Sequence, residues 1–417
     1  MIQKHTLNNG IRVVTEHIPT VRSMTVGIWV GAGSRYEAAP DNGVSHFLEH
    51  MFFKGTQKRS AADIAESFDR IGGHVNAFTS KEYTCFYAKV LDQHTEKALS
   101  ILADMIFHSR FDEDEMEKER QVILEEIKMV EDTPDDIIHD YLDEAFFGNH
   151  SLGRPILGTE DTVSRLSRDT LLQYRQRFYT GDNLVISLAG NQTEEIMEIL
   201  ENLFTDLPYQ RVEEPLQLPE YNAGKSAVCK ETEQAHLCLG FPGLEMNHDS
   251  MYSLTLLNNA LGGSMSSRLF QDLREDRGLA YSVFSYHAPF LDSGMMTIYA
   301  GTGIEQLDET FEAMLAAFRE LAEHGLTEKE LNNGKEQLKG NLMLGLESTS
   351  SRMSRNGKNE LLLGRHRPLD EIVERIEAVK REDVCRMAEY IFRSDYSLSL
   401  INRDGILPKA VRQESIL

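Results

Sequence analysis

Two histidines and a glutamate lie close together in the segment His46-Phe47-Leu48-Glu49-His50. Residues four apart on a helix project from the same side, about 6 Å apart along the axis. His46 and His50 can therefore bind one divalent metal ion, and Glu49 can take a proton from a water molecule beside it. The spacing predicts metal-dependent hydrolysis.

The helix that must position these side chains is predicted at residues 44–54 and is expected to end before Gly55. Its apolar residues cluster on one side, and the two histidines and the glutamate lie on the other. The same pattern is also typical of a solvated polar face on an amphipathic helix. A third ligand distinguishes the two interpretations, because a hydrolytic zinc site usually has three protein ligands and one open position for water.

The best candidate for that ligand lies in a second predicted helix, at residues 113–132. Glu119 and Glu126 are two turns apart and fall within the apolar stripe of this helix, whereas Glu125 falls well outside it. A carboxylate in a core-facing stripe is costly unless it is paired or bound to metal. The alternative is a buried ion pair with an arginine, but the histidine pair favours a metal ligand and a supporting carboxylate. His74 is a weaker candidate ligand and is expected on a partly exposed loop.

Four segments together resemble the M16 metallopeptidases, which include the pitrilysin, insulin-degrading and mitochondrial-processing peptidases. The segments are 46–50, 71–81, 119–126 and 268–281. The resemblance spans nearly the whole chain and is strongest to the short bacterial processing-protease branch.

The resemblance implies specific roles around one zinc ion per active site. His46, His50 and Glu126 are expected to bind the zinc, and Glu49 is expected to act as the general base that passes its proton to the leaving amine. Glu119 is expected to orient a ligand histidine or to support the acid–base cycle. The implied activity is that of a zinc metalloendopeptidase acting on peptides or unfolded segments.

The resemblance also implies two sets of substrate contacts. Asn76, Ala77 and Phe78 are expected to line the cleft, where an edge strand can add a peptide by β-augmentation; the residues alone favour a glycine turn before a core strand. Arg274 and Tyr281 are expected to bond the substrate backbone opposite the zinc. In long single-chain members of the family, the Arg/Tyr pair lies in a later half of the chain than the zinc motif, and a chain of 417 residues contains only one such half. The chain is therefore expected to form a homodimer whose closed chamber completes each active site in trans.

Composition and charge limit the class of protein. The hydrophobic share of 41% and the charged share of 26% are typical of a soluble globular enzyme, and no apolar run approaches membrane-spanning length. The net charge of −24 argues against nucleic acids and anionic membranes as partners. Four scattered cysteines and an N-terminal segment unlike a secretory or transit signal predict a cytoplasmic protein with reduced thiols.

The 417 residues are expected to form two homologous α+β domains, each an antiparallel or mixed sheet covered by helices on one face. The same shift that matches Asp182 to Asp395 places residues 255–263, which lack histidine, on the histidine motif. The predicted boundaries are a zinc-bearing domain at 1–212, a linker at 213–224 and a second domain without zinc at 225–417. Strands are predicted at 23–30, 83–90, 184–189, 236–240 and 294–301, and helices at 61–71, 95–108, 134–147, 251–261, 307–323 and 369–379.

Two other functions remain open from the sequence. A non-catalytic, peptide-binding subunit is disfavoured because every expected zinc ligand is present. The other is a metallopeptidase that processes one specific precursor. It would differ from a peptidase of broad specificity only in the range of substrates, and the motifs do not indicate that range.

Overall fold

Apolar runs of the sequence form two mixed sheets in the computed structural model, which describes residues 2–205, 207, 210 and 216–412. The first sheet contains β1 (Ile2–Thr6), β2 (Arg12–His17), β3 (Ser23–Val30), β4 (His74–Thr79), β5 (Thr84–Leu91) and β6 (Leu184–Gly190). The second contains β7 (Lys225–Cys229), β8 (Gln234–Pro242), β9 (Ala280–Pro289), β10 (Gly294–Gly303) and β11 (Ser397–Asn402).

Helices connect these strands and pack against them. The helices before residue 205 are α1 (Val44–Phe52), α2 (Ala61–Asp69), α3 (Thr95–His108), α4 (Glu113–Asp132), α5 (Pro134–Phe147), α6 (Glu160–Arg165), α7 (Arg168–Phe178) and α8 (Ile196–Phe204). Later in the chain they are α9 (Met251–Leu261), α10 (Leu307–His324), α11 (Glu328–Gly345), α12 (Thr349–Leu363), α13 (Leu369–Ala378) and α14 (Arg381–Arg393). A π-helical segment, Phe270–Asp276, precedes β9.

The two sheets share one topology over five strands. The strand order is β1-β2-β6-β3-β5-β4 in the first sheet and β7-β11-β8-β10-β9 in the second. The pairs β2–β6 and β7–β11 are parallel, and all other neighbouring pairs are antiparallel. This repeated arrangement confirms the prediction of two α+β domains with mixed sheets, and β1 is an extra edge strand of the first.

The chain divides into two compact units that are not contiguous in sequence. The first unit comprises Met1–Lys128, Pro155–Leu216 and Leu344–His366, and the second comprises Met129–Arg154, Gln217–Met343 and Arg367–Leu417. Compared with the predicted domains at 1–212 and 225–417, α5 belongs to the second unit and α12 to the first. The linker predicted at 213–224 has no regular structure over 216–224, and residues 213–215 lie outside the described part of the chain.

Helix α12 covers a second face of the first sheet. Alternate residues of β3 point to opposite faces: Ile28 packs in the same core as α1, whereas Trp29 packs against Met353 of α12. Gly357 allows this close packing, because a Cβ atom there would lie 2.1 Å from Trp29 Nε1. The first sheet therefore has helices on both faces, because both faces of β3 are buried. Helix α5 likewise packs on the face of the second sheet opposite its main core, so the expectation of helices on one face is wrong for both units.

The predicted helices and strands are present in the structure, with small shifts at their ends. The helix predicted at 44–54 ends at Phe52, and the strand predicted at 83–90 spans Thr84–Leu91. Helix α4 has the predicted bounds, and its apolar residue Val122 is 44% exposed. Among the residues that the structure describes, no helix combines the length and the hydropathy that a membrane span requires.

Candidate metal centre

Helix α1 turns its polar side chains away from the core of the first unit. His46, Glu49 and His50 lie on one side of the helix, and each is half-buried. The other side packs into the core through five residues: Val44, Phe47, Leu48, Met51 and Phe52. The apolar periodicity of the helix therefore fixes which way the two imidazoles face.

Three possible metal ligands converge between α1 and α4. The two Nε2 atoms of His46 and His50 are 3.2 Å apart. Glu126 Oε2 lies 3.8 Å from His46 Nε2 and 3.6 Å from His50 Nε2. The ligand atoms of these three residues all lie within 4.8 Å of one another. The Glu126 side chain is 34% exposed, so this carboxylate is less buried than its position in the predicted apolar stripe suggested.

The spacing and chemistry of these atoms fit zinc. Zinc in proteins prefers imidazole nitrogen and carboxylate oxygen at about 2.0–2.2 Å, so two tetrahedral ligand atoms are about 3.3 Å apart. The three observed separations are close to that value. Two histidines and one carboxylate also leave the fourth position open, as in catalytic zinc sites.

Glu119 holds the outer nitrogen of one of these histidines. Its Oε2 lies 2.9 Å from His50 Nδ1, and its Oε1 accepts a hydrogen bond from the ammonium of Lys54. Glu119 is 5% exposed, so the buried carboxylate is paired on both oxygens. The bond to Nδ1 fixes the ring orientation and leaves Nε2 of His50 directed at the ligand cluster. The corresponding Nδ1 of His46 has no partner among the described residues.

The surroundings set the charge of each histidine. Burial, together with the charge of His50, lowers the pKa of His46 to about 3, so this ring is neutral at pH 7. Burial also acts to lower the pKa of His50, but the hydrogen bond to Glu119 and the charges of Glu126, Glu119 and Glu49 outweigh it and raise that pKa. The cluster therefore stabilises positive charge at His50, where a proton and a metal ion compete for the same nitrogen.

Glu49 is held at the end of strand β4. Thr79 Oγ1 donates a hydrogen bond of 2.5 Å to Glu49 Oε2. Burial raises the pKa of Glu49, and the nearby Glu126 adds to the rise, while Thr79 and His50 oppose it. A carboxylate whose pKa is raised towards neutrality is better suited to accept and return a proton at pH 7.

Strand β4 forms one edge of the first sheet and pairs only with β5 among the described strands. Asn76 and Phe78 are exposed and Ala77 is half-buried. The Ala77 N–H donates a hydrogen bond to the Asn76 side-chain Oδ1 at 2.8 Å. The Phe78 ring contacts Trp29 at 5.9 Å between centroids. The segment is thus an edge strand of the first sheet. His74 at its start is exposed.

Arg274 and Tyr281 lie together in the second unit. The Arg274 guanidinium sits 4.6 Å from the centroid of the Tyr281 ring and 4.7 Å from that of Phe270. Tyr281 is 74% exposed, although it lies in β9 of the second sheet. The cation–π contact holds the two side chains in one group, with the phenol hydroxyl accessible.

Sequence reasoning missed two residues of this site. Lys54 pairs with Glu119, and Thr79 hydrogen-bonds Glu49. The helix predicted at 44–54 held a signal for Lys54, because in that predicted helix Lys54 follows His50 by four residues and shares its side, although α1 ends at Phe52. No sequence signal indicated Thr79, since its contact depends on how β4 packs against α1.

Comparison with known proteins adds to this geometry. The family model described as Insulinase (Peptidase family M16) matches residues 12–160, and the model described as Peptidase M16 inactive domain matches residues 165–338. The chain belongs to peptidase family M16. The prediction of that family from the sequence is confirmed, and the chain is an M16 zinc protease.

Similar M16 proteins cover almost the full chain. An uncharacterized zinc protease of Bacillus subtilis, YmxG, is 58% identical over 98% of this chain and 100% of its own length. An uncharacterized zinc protease of Streptomyces coelicolor is 42% identical over 96% of this chain and 89% of its own length. The crystal structure of a protease from Helicobacter pylori superposes with a TM-score of 0.90 at 22% identity, covering 96% of this chain and 99% of that one. This last likeness concerns the fold alone.

The M16 assignment also agrees with the diverged second half. The region matched as an inactive M16 domain contains α9, which ends Asn258-Asn259-Ala260-Leu261 without histidine. Among the described residues, the one group of three or more side chains able to hold a metal is that of His46, His50 and Glu126.

Proposed function

We propose that this M16 protease is an endopeptidase that binds one zinc ion per active site through His46, His50 and Glu126. The observation that carries the proposal is the convergence of three ligand atoms, from two helices, within 4.8 Å. A bound zinc ion supplies the Lewis acidity that activates a water molecule and polarises the scissile carbonyl.

The remaining residues of the site handle protons and orientation. Glu49 takes the proton of the attacking water and returns it to the leaving amine. The hydrogen bond from Thr79 keeps the Glu49 carboxylate at the end of β4, where a substrate strand would lie. Glu119 anchors His50, and Lys54 keeps Glu119 ionised, because the pKa of Glu119 is lowered by its bonds to His50 and Lys54 despite burial, which alone would raise it.

The substrate is a peptide or an unfolded segment bound as a β-strand. Support comes from β4, which pairs with β5 alone among the described strands, so that its other edge can offer main-chain hydrogen bonds to an extended chain. Asn76, Ala77 and Phe78 lie on this edge strand, and the exposed Asn76 and Phe78 contact the substrate's side chains. Backbone recognition of this kind selects conformation more than sequence, which suits a peptidase for unfolded segments.

The substrate-clamping pair comes from another chain. Arg274 and Tyr281 bond the substrate backbone and the developing oxyanion at the zinc of the partner in a homodimer that encloses a chamber. Support comes from the exposed Tyr281 phenol and its contact with Arg274. The cytoplasmic location expected from the four cysteines stays a prediction.

A matched pair of variants tests the ligand set. Glu126→Gln is expected to lose most of its zinc, measured by elemental analysis after gel filtration, together with chelator-sensitive cleavage of a quenched peptide library. Glu125→Gln is the control: it neutralises the adjacent carboxylate, which pairs with Lys128 at 2.7 Å on the exposed side of α4. If Glu126→Gln keeps both its zinc and its activity, the ligand set is wrong.

A mixing experiment tests completion of the site in trans. Glu49→Gln and Tyr281→Phe chains are each expected to be inactive as homodimers. A mixed dimer has one site in which both residues are native, so random mixing restores about a quarter of the wild-type activity in a two-fold symmetric dimer. Confirmed mixed dimers that recover no activity would refute sharing between chains.

A further inference from the structure

A second buried glutamate organises the start of the helix that bears the histidines. Glu37 is 4% exposed and lies before α1 in the chain. Its Oε2 accepts hydrogen bonds from Gly43 N at 2.8 Å and from Asn42 Nδ2 at 2.9 Å. Its Oε1 accepts one from Ser45 N at 2.8 Å. Both oxygens of a buried carboxylate thus bind the first turn of α1.

The N-cap residue of α1 supplies no side-chain cap of its own. The residue at the N-cap position is Gly43, in a left-handed conformation with φ 96°, and it offers no side-chain acceptor. The first N–H groups of a helix have no partner inside it, and leaving them unbonded in a buried site is costly. The carboxylate of Glu37 fills this role from outside the helix and places a negative charge at its positive end.

The segment that carries Glu37 is itself fixed to the turn that follows β4. Ser34 N donates to Ser80 O at 3.2 Å, and Arg35 N donates to Lys81 O at 2.7 Å. The Arg35 guanidinium forms a buried ion pair with Glu82 at 2.6 Å. Residues 33–37 therefore connect the turn after β4 to the start of α1. The contact with α1 is made by the Glu37 carboxylate, which accepts from the backbone N–H groups of Gly43 and Ser45.

We infer that Glu37 is a positioning residue that sets the direction of His46 and the place of α1 relative to β4. His46 follows Ser45, whose N–H Glu37 binds, and its own Nδ1 has no partner among the described residues. The ring of His46 is therefore oriented by its backbone rather than by an outer hydrogen bond like that of His50. This inference rests on the zinc site proposed above.

The test measures zinc partition between the holoprotein and a chromophoric chelator. Glu37→Gln keeps the shape of the side chain, but its amide NH₂ must face the N–H of Gly43 or Ser45 and cannot accept from it. We expect zinc affinity to fall about tenfold, similar to loss of an outer-shell partner, and the d–d spectrum of the cobalt(II) form to change. In zinc-saturated protein, kcat is expected to fall more than KM rises. Glu37→Asp, which keeps the charge but is shorter, is expected to be intermediate.

A control separates positioning from general destabilisation. Glu360→Gln also neutralises a buried glutamate of the first unit, which bonds Lys4 at 2.6 Å and His366 at 2.7 Å. It is expected to lower the melting temperature while leaving zinc affinity and the cobalt spectrum unchanged. A folded Glu37→Gln protein with wild-type zinc affinity and spectrum would overturn the inference; if that variant does not fold, unchanged values for Glu37→Asp would overturn it. Retention of zinc by Glu126→Gln would instead refute the zinc site itself.

Discussion

Replacing Glu119 by glutamine tests the bond that anchors His50. The buried Glu119 carboxylate lies 2.9 Å from His50 Nδ1 and also binds Lys54. Glutamine has nearly the same shape, so the change removes a charge without leaving a cavity. His50 then loses its anionic acceptor, and the Lys54 ammonium is left close to the metal position without a compensating charge.

The magnitude follows from that geometry. A buried hydrogen bond to an ionised group contributes about 1.5–3 kcal/mol. Loss of such a partner behind a metal-binding histidine usually weakens metal binding about 10–100-fold, which corresponds to about 1.4–2.7 kcal/mol. We therefore expect the zinc Kd of Glu119→Gln to rise by that factor, measured by competition with a chromophoric chelator at pH 7.

Glu117→Gln provides a control on the same helix, because the exposed Glu117 side chain bonds only Arg120 and Gln121 among the described residues. Its zinc Kd is expected to match that of the wild type. The reasoning is refuted if Glu119→Gln binds zinc as tightly as Glu117→Gln does, since a buried charged bond to His50 would then contribute nothing to the site.

Three further outcomes follow from the structure. Gly357→Ala is expected to destabilise the protein by about 1–3 kcal/mol because the new methyl group would meet the indole of the first sheet, whereas Gly340→Ala, in an open part of α11, is expected to stabilise it by about 0.5–1 kcal/mol in urea unfolding. Burial alone would raise the pKa of Glu330, but Arg268 and hydrogen bonds at Thr327 lower it to about 2. Glu330→Gln is therefore expected to cost about 1–2 kcal/mol at pH 7. The difference from wild type shrinks as the pH falls below 4.5 and is lost only below about 2; a difference independent of pH between 7 and 3 would contradict this. Removal of metal by dialysis against a chelator is expected to abolish peptidase activity and lower the melting temperature, and zinc is expected to restore both.

The sequence was most informative where chemistry and periodicity coincide. The histidine spacing in α1 and the helical phase of Glu126 in α4 predicted the three residues that the structure brings together. The topological repeat followed from the matching of Asp182 and Asp395. In each case the information lies within one helix or in a comparison of two similar segments.

Contacts between distant segments could not be predicted in the same way. The hydrogen bond from Thr79 to Glu49 and the bonds from Glu37 to the start of α1 depend on how strands and helices pack. The place of α12 on the first sheet depends on the fit of Gly357 against Trp29, which no local pattern reports. Packing of this kind is specified by complementary surfaces from separate parts of the chain.

Glu49→Gln tests the central claim most directly, because glutamine keeps the size of the side chain and its contact with Thr79 but cannot accept the proton of a water molecule. Zinc content and cleavage of a quenched peptide library should be measured on the same preparation. We predict that the variant retains the zinc content of the wild type and loses about 10²–10⁴-fold in kcat. A Glu49→Gln protein that keeps its zinc and cleaves at the wild-type rate would contradict the assignment of Glu49 as the general base and, with it, the proposed mechanism.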